Sequence, residues 1–422
     1  MAALGTPAAG PESASLEWAG QMCYVARQPI LNVSGRLHAY ELLFREGPEA
    51  TAGTDSETSI GSLLDETVLF GLERFTNGFP AFVSCTAQVL KRELVRVLPP
   101  NLTVLAVPES VEPTADLVEA CSKLKSLGFR LALDDYSGGF HPLEGLVDYI
   151  RVDFGAPVRV RPEQLRQRLD ADPVALVAKR VATHDDYRRA LSEGFTHFQG
   201  DYLFRPALLT NRKIPANKLA HFEILQNLYR DPVDLKRLSH LVMQEASLTY
   251  RLLRLVNSPV CAIRQEVRSV EAAIIIVGLD TFRRFATMAI LCDANGEEQP
   301  EILRTALLRG RFCELGARTC RLDAAEQYLV GLFSLLPAML RLPMEELTQS
   351  LPLRDELRQA LAGTDNRERC LLGWLERHEH GDWTACDALS RAYGLNQEKL
   401  IRRYGDALIW AEAVLRSATA TG

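Results

Sequence analysis

The chain has 422 residues, 47% of them apolar and 24% charged, with a formal net charge of −6. This is the make-up of a globular protein with room for two ordinary domains, and the absence of any basic block argues against nucleic acid or an anionic membrane surface as the main partner. No apolar run reaches the length of a membrane span, the longest being Ala272–Val277, and the nine cysteines are scattered without a CxxC, which points to reduced thiols in the cytoplasm rather than a disulfide or zinc framework.

In chain order, residues 1–20 are rich in Ala, Gly, Pro and Ser and lack the basic start and apolar middle of a signal peptide, so they read as a disordered tail. Tyr24–Leu31 and Arg36–Phe44 read as two strands joined by the turn chemistry of Asn32–Gly35. Glu46–Thr58 is loop-like, and Ser59–Arg74 has the apolar spacing of a helix. Strand and helix then alternate: strand Phe79–Ser84, helix Thr86–Leu98, strand Leu102–Val107, helix Pro113–Leu127, strand Phe129–Leu133. The alternation continues with strand Tyr149–Val152, helix Pro162–Leu169, strand Ala175–Val181, helix Asp185–Glu193 and strand Phe195–Phe198. Such βα alternation over about 185 residues fits a closed, TIM-like α/β barrel.

The chemistry of this half gathers around Gly128–Phe140, where an apolar run ends in Asp134 and Asp135 before a glycine-containing loop. Taken alone, that is a strand end with an Asp turn. However, Glu41, Glu109 and Asp153 also fall at or near the C-terminal ends of strands, and a barrel collects those ends on one face. The carboxylates therefore read as a cluster suited to metal or phosphate chemistry.

Six short motifs in order make residues 22–208 resemble the EAL domain, whose active members hydrolyse cyclic di-GMP with two divalent metals. Gln28-Pro29-Ile30 resembles QPI; Glu41-Leu42-Leu43-Phe44-Arg45 resembles E-A-L-L-R; Pro108-Glu109 resembles T-E; Leu133-Asp134-Asp135-Tyr136 resembles L-D-D-F; Arg151-Val152-Asp153 resembles K-I-D; and Gln199-Gly200 resembles the closing Q-G. The chain also departs from the pattern. Ser84 stands where the family has a metal-binding Asn, and Arg151 replaces a Lys. The segment that should read A-E-G-V-E-T is Ala178-Lys179-Arg180-Val181-Ala182-Thr183, so Lys179 replaces the Glu that by the resemblance helps to activate water, and Ala182 replaces the second Glu.

Two divalent ions about 3.5–4 Å apart need several anionic ligands. An ammonium held near a dication is repelled by roughly 8 kcal/mol at 4 Å and an effective dielectric near 20, and a protonated lysine is no general base at neutral pH. The expectation is that Lys179, with Arg151, partly replaces the metals as countercharge to Glu41, Glu109, Asp134 and Asp135, leaving no catalytic residue and no metal. Mg or Mn would enter only if the site were still competent. The alternative for Lys179 is a surface-directed side chain. Gln28, Arg45, Tyr136 and Gln199 are the candidate nucleotide-binding residues, since the fork of Arg45 suits a phosphate; the alternative is that they only hold the barrel together.

Residues 209–216 read as a linker, after which 217–418 read as an all-α bundle. The segments 248–259, 269–286 and 328–340 resemble the HDOD domain, which is related to HD-type phosphohydrolases. Where the related HD-GYP pattern has its metal-binding His-Asp, this chain has Ser334 and Leu335, and neither replaces a ligand usefully. Single helices are expected over 324–341 and 366–380, and a pair over 396–403 and 405–417. His378 and His380 lie in a polar run and read as solvated, with metal binding as the alternative; Arg251, Arg254, Arg283 and Arg284 read as ordinary helix-face residues, with a nucleic-acid patch as the alternative; Cys313 and Cys320 read as core thiols. The expected protein is a cytoplasmic two-domain regulator, a degenerate EAL barrel followed by an HDOD bundle. It would act through unidentified signalling partners, as a homodimer or a monomer, with cyclic di-GMP as a ligand in the alternative reading and residual hydrolysis as a second one.

Overall fold

A computed structural model describes residues 23–46, 72–157, 159–168, 174–205, 221–228 apart from 222 and 226, 232–257, 267–295, 300–350 and 353–419. The expected tail, the loop and most of the helix between residues 46 and 71, and the linker 209–216 lie outside these.

Eight strands close into one barrel in chain order: β1 Cys23–Asn32, β2 Leu37–Glu46, β3 Ala81–Ser84, β4 Thr103–Pro108, β5 Arg130–Asp134, β6 Tyr149–Asp153, β7 Ala175–Lys179 and β8 His197–Phe198. The helices between them are α1 Leu72–Thr76, α2 Ala87–Lys91, α3 Ala115–Ser126, α4 Pro162–Arg168 and α5 His184–Glu193. β1 runs antiparallel to both β2 and β8, whereas β2 to β8 are parallel. The Asn32–Gly35 turn explains this: it joins β1 and β2 as a hairpin, and Asn32 Oδ1 accepts from the amides of Ser34 and Arg36. The hairpin is longer than its neighbours. β2 pairs with β3 only over Tyr40–Leu42, so Glu41 lies at the barrel rim although it is mid-strand.

Alternation along the strands decides which side chains enter the barrel. Ile30, Ala39, Phe82, Val104, Ala106, Ala132, Tyr149 and Val177 form a separate core inside it. Two residues further along β5, β6 and β7, the same face carries Asp134, Arg151 and Lys179. The larger core fills the space outside the strands and continues through the helical half. The helix expected over Thr86–Leu98 is instead α2 followed by a 3-10 turn, Leu94–Val97, because Glu93 takes a left-handed backbone (φ 52°).

After β8, the regular elements among the described residues are helical. They are α6 Leu235–Gln244, α7 Ala246–Val256, α8 Val270–Val277, α9 Leu279–Asn295, α10 Pro300–Cys320, α11 Ala324–Phe333, α12 Leu336–Leu340, α13 Met344–Ser350, α14 Asp355–Leu361, α15 Cys370–Glu379, α16 Trp383–Tyr393 and α17 Gln397–Thr419. α10 and α11 cross at two glycines: a Cβ on Gly331 would lie 2.3 Å from the carbonyl oxygen of Arg309, and one on Gly310 would lie 3.2 Å from Tyr328. The helix expected over 324–341 breaks after Phe333, and Pro337 enters the first turn of α12, where its missing N–H costs nothing. The pair expected over 396–403 and 405–417 is one helix, α17. Among the described residues, no helix is long and apolar enough to cross a membrane.

Candidate functional site

Arg151 is the centre of the barrel mouth. Its side chain has no solvent exposure, and its guanidinium lies 5.1 Å above the ring centroid of Phe82, the top of the inner apolar core. The fork reaches two acids on opposite sides: Nη2 is 2.6 Å from Glu41 Oε1 and Nη1 donates to Asp134 Oδ2 at 2.8 Å. Nη2 also donates to Gln199 Oε1 at 3.0 Å. Lys179 turns inward rather than to the surface, and Nζ donates to Asp134 Oδ1 at 2.8 Å and to Asp135 Oδ1 at 2.9 Å. Gln199 Nε2 donates to Glu41 Oε2 at 2.5 Å and to Gln28 Oε1 at 2.7 Å. All four carboxylate oxygens of Glu41 and Asp134 are therefore engaged by nitrogen donors of this chain.

The local backbone sets this up. Asp135 and Arg180, each one residue beyond an inward-facing side chain, take left-handed conformations (φ 51° and 57°), which turn the chain off the strand ends. Gly200 (φ 148°) lets β8 leave closely past Val181, whose carbonyl oxygen would be 2.3 Å from an added Cβ.

Of the expected carboxylates, Glu41, Asp134 and Asp135 meet the two cations. Glu109 does not: its Oε2 accepts from the Ser137 amide at 2.8 Å, and it forms no ion pair with Lys179 or Arg151. Asp153 pairs instead with Arg180 at 3.0 Å. Ser84 ends β3 exposed, and Ala182 lines the cleft above the network. That cleft, of about 460 Å³, is walled by Gln28, Glu41, Lys179, Arg180, Gln199 and His380, among others. The Tyr136 hydroxyl is turned into the loop 139–144, within hydrogen-bond distance of both the Gly139 carbonyl and Glu144 Oε1, one of which takes its proton.

Burial pushes the Glu41 carboxyl up, but Arg151, Lys179 and Gln199 outweigh it and hold the group at about 2. Burial and Arg151 lower the Lys179 ammonium, and the three acids Glu41, Asp134 and Asp135 more than restore it, so it stays protonated. Because the unfolded chain binds the Glu41 proton first, the stability this acid contributes is complete above its ordinary value of 4.5 and is lost as pH falls toward about 2. Thermal melts of the wild type should show this acid limb, and Glu41→Gln should flatten it.

The helical half covers one rim of the mouth. Arg45, on the same side of β2 as Glu41 and four residues on, forks onto Asp387 of α16, with Nη1 and Nη2 at 3.0 and 2.7 Å from the two oxygens. Gln28 Nε2 donates to the carbonyl of Glu379 at 3.1 Å. His378, expected to be solvated, is fully buried: Nε2 lies 3.0 Å from the Val25 carbonyl of β1, and the ring packs among Trp374, Trp383 and Tyr404. Burial lowers it to about 4, so it is a neutral donor, because a helix packed on an apolar strand needs some partner for that strand's open carbonyl. His380 is half-exposed and meets Asp201 Oδ1 at 2.7 Å; the pairing holds its imidazole up at about 9. Further contacts are Arg27 with Glu412 at 3.4 Å and the Tyr40 hydroxyl with Glu301 at 2.8 Å.

Within the helical half, Ser334 accepts from Arg309 Nη1 at 3.3 Å, and Leu335 is buried in the core. Arg309 itself is buried and forks onto Glu379, with Nη2 at 2.6 Å. Arg309, Glu379 and Asp387 are not among the expected site residues: their partners lie far along the chain, and no local spacing marks them. Of the four arginines weighed as a basic patch, Arg283 donates to the Leu228 carbonyl at 2.9 Å; the side chains of Arg251, Arg254 and Arg284 lie outside the described residues. Cys313 and Cys320 are buried.

The HDOD domain family matches residues 214–352. The chain is 30% identical over 406 residues to the uncharacterized protein YuxH of Bacillus subtilis, covering 93% of this chain and 98% of that one. It is 30% identical over 402 residues to the cyclic di-GMP phosphodiesterase CdgJ of Vibrio cholerae, covering 93% of each. The chain belongs to the EAL–HDOD family. The match runs over nearly the whole length of both relatives and takes in the barrel and helical halves of this chain. Among solved structures, the EAL–HDOD chain is similar to the calcium and cyclic di-GMP complex of BlrP1 from Klebsiella pneumoniae, with 19% identity over 43% of this chain and 54% of that one and a TM-score of 0.35. It is also similar to an EAL domain protein from Listeria monocytogenes, with 16% identity over 43% of this chain and 86% of that one and a TM-score of 0.34.

Proposed function

We propose that this EAL–HDOD protein is a non-catalytic regulator in cyclic di-GMP signalling, acting in the cytoplasm through contacts with other proteins. One observation carries the reading: the donors of Arg151 and Lys179 engage the oxygens of Glu41 and Asp134 that a pair of divalent ions would need. The two side-chain charges stand in for the metal charge, and residues so arranged do not fit a two-metal centre. Glu109 and Asp153, held by their own partners, add nothing to that cluster. Lys179 cannot take a proton from water while its ammonium is kept charged by three acids.

The helical half supports the same reading. At the position where the related HD-GYP pattern has its metal ligands, Ser334 is bonded to a buried arginine, Arg309, which is itself paired with Glu379. A second reading, a receptor that binds cyclic di-GMP without hydrolysing it, is favoured by the cleft and its donors Lys179, Arg180, Gln199 and His380. The test of the first reading is turnover. Purified protein incubated with cyclic di-GMP and either Mg²⁺ or Mn²⁺ should release no linear dinucleotide above a no-protein control. Metal-dependent release would assign the phosphodiesterase activity named for the Vibrio cholerae relative to this chain as well.

A further inference from the structure

Gln28, which lines the cleft, and Arg45, four residues beyond Glu41 on the same side of β2, are both taken up by the helical half. Arg45 is 5% exposed and its fork is filled by the carboxylate of Asp387, whose side chain is 22% exposed and within reach of a competitor. A bidentate arginine–carboxylate pair has the same planar geometry as an arginine–phosphate pair, so Asp387 occupies the fork as an external oxyanion would. Gln28 is bound from both sides, by Gln199 within the barrel and by the Glu379 carbonyl at the end of α15. A continuous polar chain thus runs from Lys179 through Asp134, Arg151 and Gln199 to Gln28 and the backbone of the helical half. The turn that follows α15 closes the contact: His380 meets Asp201, and Gly381 (φ 70°) packs against Leu43, with an added Cβ only 2.9 Å from Leu43 Cδ1.

We propose that the α15–α16 segment is an autoinhibitory latch, in which Asp387 and the Glu379–Gly381 turn hold Arg45 and Gln28 away from an oxyanion ligand of the barrel mouth, so that docking of the helical half and ligand binding exclude one another. This rests on the second reading above, a receptor that binds without hydrolysis, and names what the ligand would change, namely exposure of the α15–α16 face that now lies on β1 and β2. By linkage, whatever loosens the latch strengthens ligand binding by the same factor, and the ligand loosens the latch in turn.

The test uses the full chain with cyclic di-GMP as the probe, since it offers two phosphodiester oxyanions, and with inorganic pyrophosphate as a second probe. Two variants loosen the latch from different sides. Asp387→Asn removes the charge from the fork, and Gly381→Val wedges the turn off Leu43 without touching Arg45. Each should raise hydrogen exchange across residues 376–390 and tighten cyclic di-GMP binding by about fivefold or more. Arg45→Lys added to either variant should cancel the gain in affinity. In the wild type, saturating cyclic di-GMP should raise exchange over the same segment. Faster exchange without a gain in affinity overturns the proposal, as do variants that loosen nothing and wild-type exchange that ligand leaves unchanged. Hydrolysis of the probe by any of these proteins would count against the non-catalytic reading and leave the latch untouched.

Discussion

Replacing Arg151 by Met is expected to cost the barrel about 3–5 kcal/mol, the usual penalty for removing one partner of a buried ion pair. The reason is what remains. Glu41 and Asp134 stay buried at the mouth, Lys179 reaches only Asp134 and Asp135, and Gln199 loses the donor on its oxygen. Urea unfolding should show the loss as a lower midpoint for the barrel. Arg151→Lys should lie between the two, because an ammonium keeps the charge but cannot bond Glu41 and Asp134 as a fork. Glu41→Gln in the Arg151→Met background should recover part of the loss, and the double-mutant cycle measures the coupling directly. If Arg151→Met left the midpoint within about 0.5 kcal/mol of the wild type, the guanidinium would not be holding the mouth together.

Lys179→Glu should have the opposite chemistry and a comparable cost. It places a fourth carboxylate beside Glu41, Asp134 and Asp135, leaves Arg151 paired with Glu41 and Asp134, and takes from Asp135 its lysine partner. In the presence of a chelator the variant should lose about 3–5 kcal/mol. Adding Mn²⁺ should return part of that loss, with about 2.7 kcal/mol regained at a hundred times the dissociation constant. The wild type should show no such metal-dependent shift. Equal responses of wild type and variant to Mn²⁺ would mean that Lys179 does not stand in for metal charge.

Much of this architecture is legible in the amino-acid sequence. The strand and helix spacing implies the barrel, and the acids before glycine-containing turns mark its rim. The segment Ala178–Thr183 shows lysine and alanine at positions where the resemblance implies acids. The central role of Arg151 is harder to see. As a replacement for lysine it looks conservative; only its place two residues beyond Tyr149, on the inward face of a buried strand, shows that the fork must bridge acids. Glu109 falls in with the cluster by position because strand ends converge in a barrel, but convergence of Cα atoms does not ensure that side chains meet. The rim contacts are beyond the reach of local pattern, since Arg45 meets Asp387 and Val25 meets His378 across more than 300 residues. Reading His378 from its polar neighbours fails for the same reason: one turn of α15 faces β1, and local polarity does not report that.

Isothermal titration of the wild type with Mn²⁺ asks whether the two side-chain cations have taken the place of metal. If Arg151 and Lys179 already neutralise Glu41 and Asp134, the titration should show no tight site, and Lys179→Glu should create one. Two equivalents of Mn²⁺ bound tightly by the wild type would mean that Arg151 and Lys179 do not take the place of metal.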